Sequence, residues 1–191
     1  RDLLVWRGTK HFTLQPGVPL IRVEQARCDG DHTMLLLRQS EFSQDHPAKT
    51  PLAWSVPMIA QVVGSSATAR TLVSGGKATL AVPGCGTVVV NAGQSGYFRT
   101  LYAPPQFAAI EAGFARLAPI DQLGILDDSW ALGMAGLQPA SDYLDLAQAT
   151  PVDADPQVWG GIAETFASLN ANYGSDPQAR APFRAFAIER L

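Results

Sequence analysis

The feature that most constrains this fold is a change in the hydrophobic period near residue 103. Before that point apolar side chains alternate along the chain, as Val56, Met58, Ala60 and Val62 do, and this is the period of a β-strand. After it they recur every three or four positions, which is the period of an amphipathic helix. The sequence therefore predicts an all-β unit followed by an all-α unit. With 47% hydrophobic and 16% charged residues, the chain has enough apolar material for a folded core.

Seven short segments rich in β-branched residues precede the change, and their spacing is typical of a β-sandwich. Gly75-Gly76 predicts a two-residue hairpin turn, because both central residues of such a turn need positive φ. Pro57 predicts an edge position or a bulge, because proline cannot donate to a strand ladder. Bulky side chains on both faces of the last segment predict that both faces are covered. The predicted strands are 18–25, 33–39, 54–62, 67–74, 77–82, 87–91 and 97–102.

The all-α unit is predicted to contain about five helices in antiparallel pairs. Asp155-Pro156 and Asp176-Pro177 indicate helix starts, because each places a capping carboxylate before a proline at the first helical position. Gly174 is suited to a helix C-terminus. The tryptophans Trp54, Trp130 and Trp159 are expected in the core. The apolar stripes at helical spacing are Phe107, Ile110, Phe114 and Leu117; Leu123, Leu126, Trp130 and Leu137; and Val158, Ile162, Phe166, Leu169 and Tyr173.

Composition and charge argue against nucleic-acid binding and against a membrane-spanning segment. The formal net charge is −3 and no basic stripe is present, so nucleic acid is not an expected partner. The longest apolar runs, 34–37 and the interrupted 54–63, are shorter than the ~20 residues that span a bilayer, so no membrane segment is expected. The sequence begins with Arg1-Asp2-Leu3-Leu4, without Met or a signal-peptide pattern, so we expect a fragment or a processed product.

The two cysteines, Cys28 and Cys85, both lie beside Asp or Gly in turn-like segments. We expect free surface thiols or small core fillers, and a disulfide between them is the alternative. A zinc site is not expected, because the chain has no Cys-x-x-Cys and no histidine pair nearby.

Motifs that carry catalysis are missing from the sequence, so we predict no catalytic, cofactor-binding or metal-binding residue in this chain. There is no His-Glu-x-x-His and no Gly-x-Ser-x-Gly. His11, His32 and His46 are too far apart in sequence to chelate a metal from one helix, and we expect them to be solvated loop histidines.

Two further patterns have structural interpretations. Asp127 and Asp128 are adjacent on a predicted helix and therefore point about 100° apart, so they do not form an acid–base pair. One of them is expected to be an ion-pair or capping partner, with Arg99 as a candidate. The Gly-x-x-Gly at 93–96 precedes a strand rather than a helix and no Lys follows it, so a turn is favoured over a phosphate site.

Six segments between residues 12 and 173 together resemble one family. Phe12–Ile21 is similar to an aromatic-Thr-x-Gln-x-Gly-x-Pro pattern, and Gly96–Tyr102 to a Gly-aromatic-aromatic-Arg-x-x-Tyr strand. The other matches are Leu37–Phe42, the Trp-x-x-Pro strand at Trp54–Met58, the set Asp121, Leu123, Asp128, Leu132, Ala135 and Gly136, and Val158-Trp159. In this order they resemble the zinc aminopeptidases of the aminopeptidase N and puromycin-sensitive type.

The resemblance implies three parts: residues 1–13 as the tail of a catalytic domain, 14–102 as a β-sandwich, and 103–191 as the start of a C-terminal helical domain. Arg1–His11 do not match the family. The family's zinc ligands, general-base Glu, Gly-Ala-Met-Glu-Asn motif and catalytic Tyr belong to a region before the matched segments. None of those roles therefore transfers to a residue of this chain.

The resemblance thus implies a non-catalytic fragment of a zinc metallo-aminopeptidase, a hydrolase that removes N-terminal residues from peptides. Zinc is expected in the full-length parent and not in this chain. The implied partners are the catalytic domain of the parent and, for the full-length protein, peptide substrates. An apolar stripe ending at Phe183, Phe186 and Leu191 predicts self-association if further helices do not cover it. The alternative function is a stand-alone interaction or scaffold module without catalysis.

Overall fold

The computed structural model describes residues 15–44 and 52–191. Within them, the strands all precede the α-helices, as the change of period predicts, and the expected β-sandwich followed by helices is confirmed. The strands are β1 (Val18–Asp29), β2 (His32–Phe42), β3 (Val56–Val62), β4 (Thr68–Val73), β5 (Lys77–Pro83), β6 (Val88–Val90) and β7 (Arg99–Tyr102). The helices are α1 (Pro104–Ala112), α2 (Pro119–Met134), α3 (Ser141–Ala149), α4 (Pro156–Asn172) and α5 (Pro177–Arg190).

The strands form two sheets that enclose one apolar core. One sheet has the order β5-β2-β1-β7 and the other the order β4-β3-β6. β1 and β2 form a long antiparallel hairpin, and β7 joins β1 in parallel with Leu20 opposite Arg99. Alternation along β3 places every second side chain in the core, as predicted. The buried residues from the two sheets include Ile21, Val23, Leu35, Leu37, Trp54, Val56, Met58, Ala60, Val62 and Val90.

The prediction that β4 and β5 form a hairpin is wrong. Gly75 and Gly76 do have positive φ, 71° and 94°, as a two-residue turn requires. However, β4 pairs with β3 while β5 pairs with β2, so the two flanking strands belong to different sheets. The glycine pair therefore carries the chain from one sheet to the other. The backbone N–H of Gln39 in β2 donates to the Gly76 carbonyl at 2.7 Å and fixes this crossing.

The sequence predicts an edge position or a bulge at Pro57, whereas β3 as a whole is the central strand of its sheet. The β3–β4 pairing runs without a bulge from Val56 to Gln61. On its other side, β6 reaches only Ala60–Val62. Among the described strands, Pro57 therefore has a neighbour on one side, which explains why the missing N–H is tolerated in a central strand.

The predicted helix starts are confirmed. The Asp155 carboxylate accepts from Gln157 N at 2.8 Å, and the Asp176 carboxylate accepts from Gln178 N and Ala179 N, both at 3.1 Å. Val158, Ile162 and Phe166 of α4 are buried, Trp54 is buried, and Trp130 and Trp159 pack against the core. Leu137 lies beyond the end of α2, and Gly174 lies in a short 3-10 turn after α4.

The apolar stripe at the end of the chain is partly covered by the chain itself. Phe183 is 8% exposed, contrary to the expectation of an uncovered residue, because it packs edge-on against Phe166 with ring centroids 5.6 Å apart. Phe186 is half-buried against the same ring. Ile188 and Leu191 are exposed.

The expectation of free thiols is wrong as well, because Cys28 and Cys85 form a disulfide. Their Cα atoms are 5.2 Å apart, which is within the usual range for a bridge. Cys28 lies near the end of β1, and Cys85 lies in the connection from β5 to β6. The two residues are 57 positions apart and meet only because β2 pairs with β5, so spacing along the chain does not reveal the bond.

The last strand is covered on both faces, as predicted, although it starts at Arg99 rather than at residue 97. Leu101 packs with Leu20 of β1 and Leu132 of α2, while Tyr102 belongs to the main core, where its hydroxyl accepts from Val90 N at 2.9 Å. The helices therefore cover one face and the other sheet covers the second.

Two neighbouring aromatics before β7 give a matched test of this packing. Phe98 is 6% exposed and Tyr97 is 66% exposed. We expect Phe98→Ala to lower the free energy of unfolding by about 3–5 kcal/mol, the range for a buried Phe truncation, and Tyr97→Ala to change it by less than about 1 kcal/mol. Urea unfolding of the two variants measures both values. Equal losses would contradict the assignment of Phe98 to the core.

Candidate functional site

The candidate site is a polar contact surface where α2 packs against the sandwich. Asp121, Gly124 and Asp128 are spaced three and four positions apart, so they lie on one face of α2. This face meets the short 3-10 turn Ala92–Gln94 and strand β7. We call this surface the junction and define it by Asp121, Gly124 and Asp128 with Gly93, Gln94, Arg99 and Thr100.

Asp128 is the acceptor for two donors of the sandwich. One carboxylate oxygen accepts from Thr100 N at 2.8 Å, and the other accepts from Arg99 Nη1 at 3.1 Å. The expected ion pair with Arg99 is therefore confirmed. β7 is an outer strand of its sheet, so the carboxylate satisfies a backbone N–H at a sheet edge. The sequence alone did not predict the bond to Thr100.

Asp121 makes the equivalent contact about two turns earlier in α2. Its Oδ1 accepts from Gly93 N at 2.7 Å, and Asp121 itself is buried. Gly93 has a φ of 74°, and the segment is a turn, as the sequence favoured. Asn91 also stabilises this turn. Its side chain accepts a hydrogen bond from Gly96 N at 2.8 Å and donates one to Gly96 O at 3.0 Å.

Gly124 allows the helix to lie close to Gln94. A Cβ at this position would be 2.0 Å from the Gln94 amide. That amide is engaged, since Gln94 Oε1 accepts from Asn91 Nδ2 at 3.1 Å. Sequence analysis missed this residue, although a glycine inside a helical pattern is a signal of close packing or function.

Burial controls the charge state of the junction. Desolvation raises the pKa of Asp128 to about 6, and the Thr100 N–H and Arg99 oppose this shift. Desolvation also raises the pKa of Asp121, opposed by the Gly93 N–H. Both carboxylates therefore bind protons more tightly in the folded chain than in the unfolded chain. Their carboxylate oxygens accept hydrogen bonds from the sandwich, and these bonds hold α2 against it.

A second surface feature is a cleft of about 500 Å³ between β1, β7, α1 and the connection after α2. Its lining is mainly apolar and includes Val23, Leu101, Phe107 and Leu137. The hydroxyl of Tyr102, which also borders it, is bonded to Val90. Arg22, Glu24, Gln138 and Asp142 also line the cleft. Glu24 is paired with Arg38, and Gln138 donates to the Ser129 hydroxyl at 2.8 Å.

Zinc, which the family resemblance implies for a full-length parent, does not fit the side chains of the described residues. Across residues 15–44 and 52–191, no three His, Cys, Asp or Glu side chains are grouped so that they could hold a metal ion. A loop position is predicted for His32, but it is the first residue of β2, where it is partly exposed and its Nδ1 lies 2.5 Å from Asp31 Oδ1. His11 and His46 lie outside the described residues. The prediction that the chain carries no catalytic residue stays a prediction.

A β-sandwich joined through such a junction to a set of helices defines a structural class, and comparison with known proteins identifies its family. Residues 87–191 match the family described as the ERAP1-like C-terminal domain. This is more than half of the chain, so the chain belongs to that family. The expected relationship to the aminopeptidases is confirmed.

Two curated relatives carry aminopeptidase names. The chain is 29% identical over 171 residues to a puromycin-sensitive aminopeptidase of Caenorhabditis elegans, covering 84% of this chain and 18% of the relative. It is 30% identical over 84 residues to aminopeptidase 2 of Candida albicans, covering 43% of this chain and 9% of that relative. The chain thus spans less than a fifth of the length of either relative. Within the described part of the chain, no helix is long and apolar enough to cross a membrane.

The contact of Gly124 with Gln94 can be tested with a pair of glycine substitutions. Gly160 lies in α4 with nothing near its Cβ position, so Gly160→Ala should raise the free energy of unfolding by about 0.5–1 kcal/mol through helix propensity. Gly124→Ala displaces the Gln94 amide and loses its bond to Asn91, worth about 1 kcal/mol, so no gain is expected.

The double variant Gly124→Ala/Gln94→Ala provides the control. With the Gln94 amide removed, the alanine at 124 no longer displaces it, and the double variant should be more stable than Gln94→Ala alone. Chemical unfolding of the three variants gives the coupling energy. Additive effects of the two substitutions would contradict the close contact.

The raised pKa of Asp128 predicts an unusual pH dependence. The folded-state value of about 6 lies above the unfolded value of about 3.9, so this carboxyl contributes stability at low pH that is lost as pH rises through 6. We expect the free energy of unfolding to be about 1 kcal/mol higher at pH 5 than at pH 7 from this group. Asp128→Asn should remove that increment, whereas Asp153→Asn, at an exposed acid, should keep it. The same pH slope in Asp128→Asn and wild type would rule out Asp128 as its source.

Proposed function

We propose that this chain is a non-catalytic part of a zinc metallo-aminopeptidase that holds the helical domain rigidly on the sandwich. In this proposal residues 1–13 are the tail of the catalytic domain, 14–102 form the sandwich and 103–191 begin the C-terminal helical domain. The zinc, the catalytic residues and the removal of N-terminal residues from peptides belong to the parent protein. The chain contributes architecture to that activity.

The observation that carries this proposal is the junction. Asp121 and Asp128 bind backbone N–H groups of two different segments, Gly93 before β7 and Thr100 within it. Backbone donors cannot rotate away as side chains can, so two such contacts fix both the position and the rotation of α2. The apolar core is also continuous from the sheets into the helices, since Val90, Ile110, Leu126 and Ile162 belong to one cluster.

The family and the relatives support the assignment to an aminopeptidase. The matched family is a C-terminal domain by its description, and both relatives are named aminopeptidases. A supporting role is consistent with the side chains at the junction, which are engaged with the chain itself. The catalytic domain of the parent is the proposed partner, and peptides are the proposed substrates of the full-length protein.

Self-association of the isolated chain remains part of the proposal. Ile188 and Leu191 are 75% and 64% exposed at the end of α5, whereas Phe183 is covered from within. Exposed apolar side chains of this size favour contact with a second surface.

The proposal predicts that the purified chain is catalytically silent. Aminoacyl chromogenic substrates are added with and without one equivalent of zinc, and the nematode puromycin-sensitive aminopeptidase serves as the positive control. No turnover and no stoichiometric zinc in the dialysed protein are expected. Bestatin-sensitive turnover that depends on added zinc would overturn the assignment of a purely architectural role.

A further inference from the structure

We propose that the Cys28–Cys85 disulfide is a reversible redox staple that sets how firmly β6, and through it the junction, is held. The bond joins the end of β1 to the connection between β5 and β6. That connection is where the chain passes from the four-stranded sheet to the three-stranded sheet. Both cysteine residues are exposed, so a dithiol in solution can reach the sulfur atoms.

The connection has hydrogen bonds of its own that do not involve the disulfide. Gly84 N donates to the Asp31 carbonyl at 2.8 Å. The buried Thr33 hydroxyl donates to Gly84 O at 2.8 Å and accepts from Gly86 N at 3.1 Å. Three contacts therefore hold the polypeptide on either side of Cys85 without any covalent bond. This arrangement suits the disulfide to opening and closing without loss of the fold.

Among the strands in the described part of the chain, β6, which follows the disulfide, is the shortest. β6 has three residues, and its partner in the sheet is β3 at Ala60–Val62. Its valines are buried, and Val90 N also donates to the Tyr102 hydroxyl. A short outer strand of this kind depends on restraints at its ends, and Cys85 lies three positions before its first residue.

The other end of β6 leads directly to the junction. Asn91 follows the strand and braces the turn that contains Gly93, and Gly93 N donates to Asp121 of α2. When β6 is held less firmly, this turn is less restrained, and the contact between α2 and the turn becomes weaker. The disulfide and the junction lie at the two ends of one segment of the chain.

The chemistry of the staple is thiol–disulfide exchange. One thiolate of a dithiol attacks a sulfur of the Cys28–Cys85 bond, the S–S bond breaks, and a mixed disulfide forms. The second thiol of the reagent resolves it and the reagent becomes a cyclic disulfide. Two electrons pass to the protein, and both cysteine sulfurs end as protonated thiols. Oxidising compartments favour the closed form, and reducing compartments favour the open form.

Hydrogen exchange of the whole chain tests the proposal. The oxidised protein is compared with protein reduced by dithiothreitol, with alkylation mass used to confirm two new thiols under native conditions. We expect the amides of Val88–Val90 and Gly93 to exchange about tenfold faster or more after reduction, while the amides of β2 paired with β5 and those inside α4 change little. Reoxidation should restore the original rates.

Two variants separate the effect of the disulfide from the effect of the Thr33 hydrogen bonds. The double variant Cys28→Ser/Cys85→Ser should reproduce the exchange of the reduced protein and should not respond to dithiothreitol. Thr33→Val keeps the disulfide and should loosen Gly84–Gly86 while leaving a response to reduction at β6. Unchanged exchange at Val88–Val90 on reduction would overturn the proposal. Global unfolding of the double serine variant, seen as loss of near-UV circular dichroism, would also overturn it, because the bond would then be required for the fold.

Discussion

The backbone N–H of an outer strand needs an acceptor, and in this chain a helix supplies it. Thr100 lies in β7, where the four-stranded sheet ends, and Asp128 of α2 accepts its hydrogen bond. The carboxylate also binds Arg99, so one side chain closes the sheet edge and neutralises a neighbouring charge. Burying a carboxylate for this purpose has a cost, which is visible in the raised pKa of Asp128. α2 also packs against α3 and α4, so this contact helps to position those two helices on the sandwich.

Local patterns predicted the elements well because their causes are local. The caps at Asp155 and Asp176 need only the next two or three residues, and both form. Alternation from Trp54 to Val62 identified a strand with one buried face. The extension of β1 to Asp29 was missed, since Arg27, Cys28 and Asp29 are exposed and carry no alternating signal.

Long-range pairing was where prediction from the sequence failed, for a physical reason. Gly75-Gly76 has the backbone conformation of a hairpin turn, but the sheet to which each flanking strand belongs is decided by partners far away in the chain. The disulfide is hidden in the same way, because Cys85 reaches Cys28 only after β5 pairs with β2. At the junction, the residue types of Asp128 and Arg99 suggested their pairing. The hydrogen bonds to Gly93 N and Thr100 N could not be predicted, because a backbone N–H donor is not marked by any particular residue type.

The parallel pairing of β1 with β7 has a mechanical consequence. The first residues of β1 lie beside the first residues of β7, and Val18 borders the same small cleft as Arg99 and Asp128. A pull on the start of β1, with the helices held, would load the β1–β7 hydrogen bonds together along the strand axis instead of opening them one at a time. Such shear loading resists displacement more than peeling does, and it passes directly beside the ion pair that anchors α2. The sandwich can therefore transmit force between whatever is attached before β1 and the helices that follow β7.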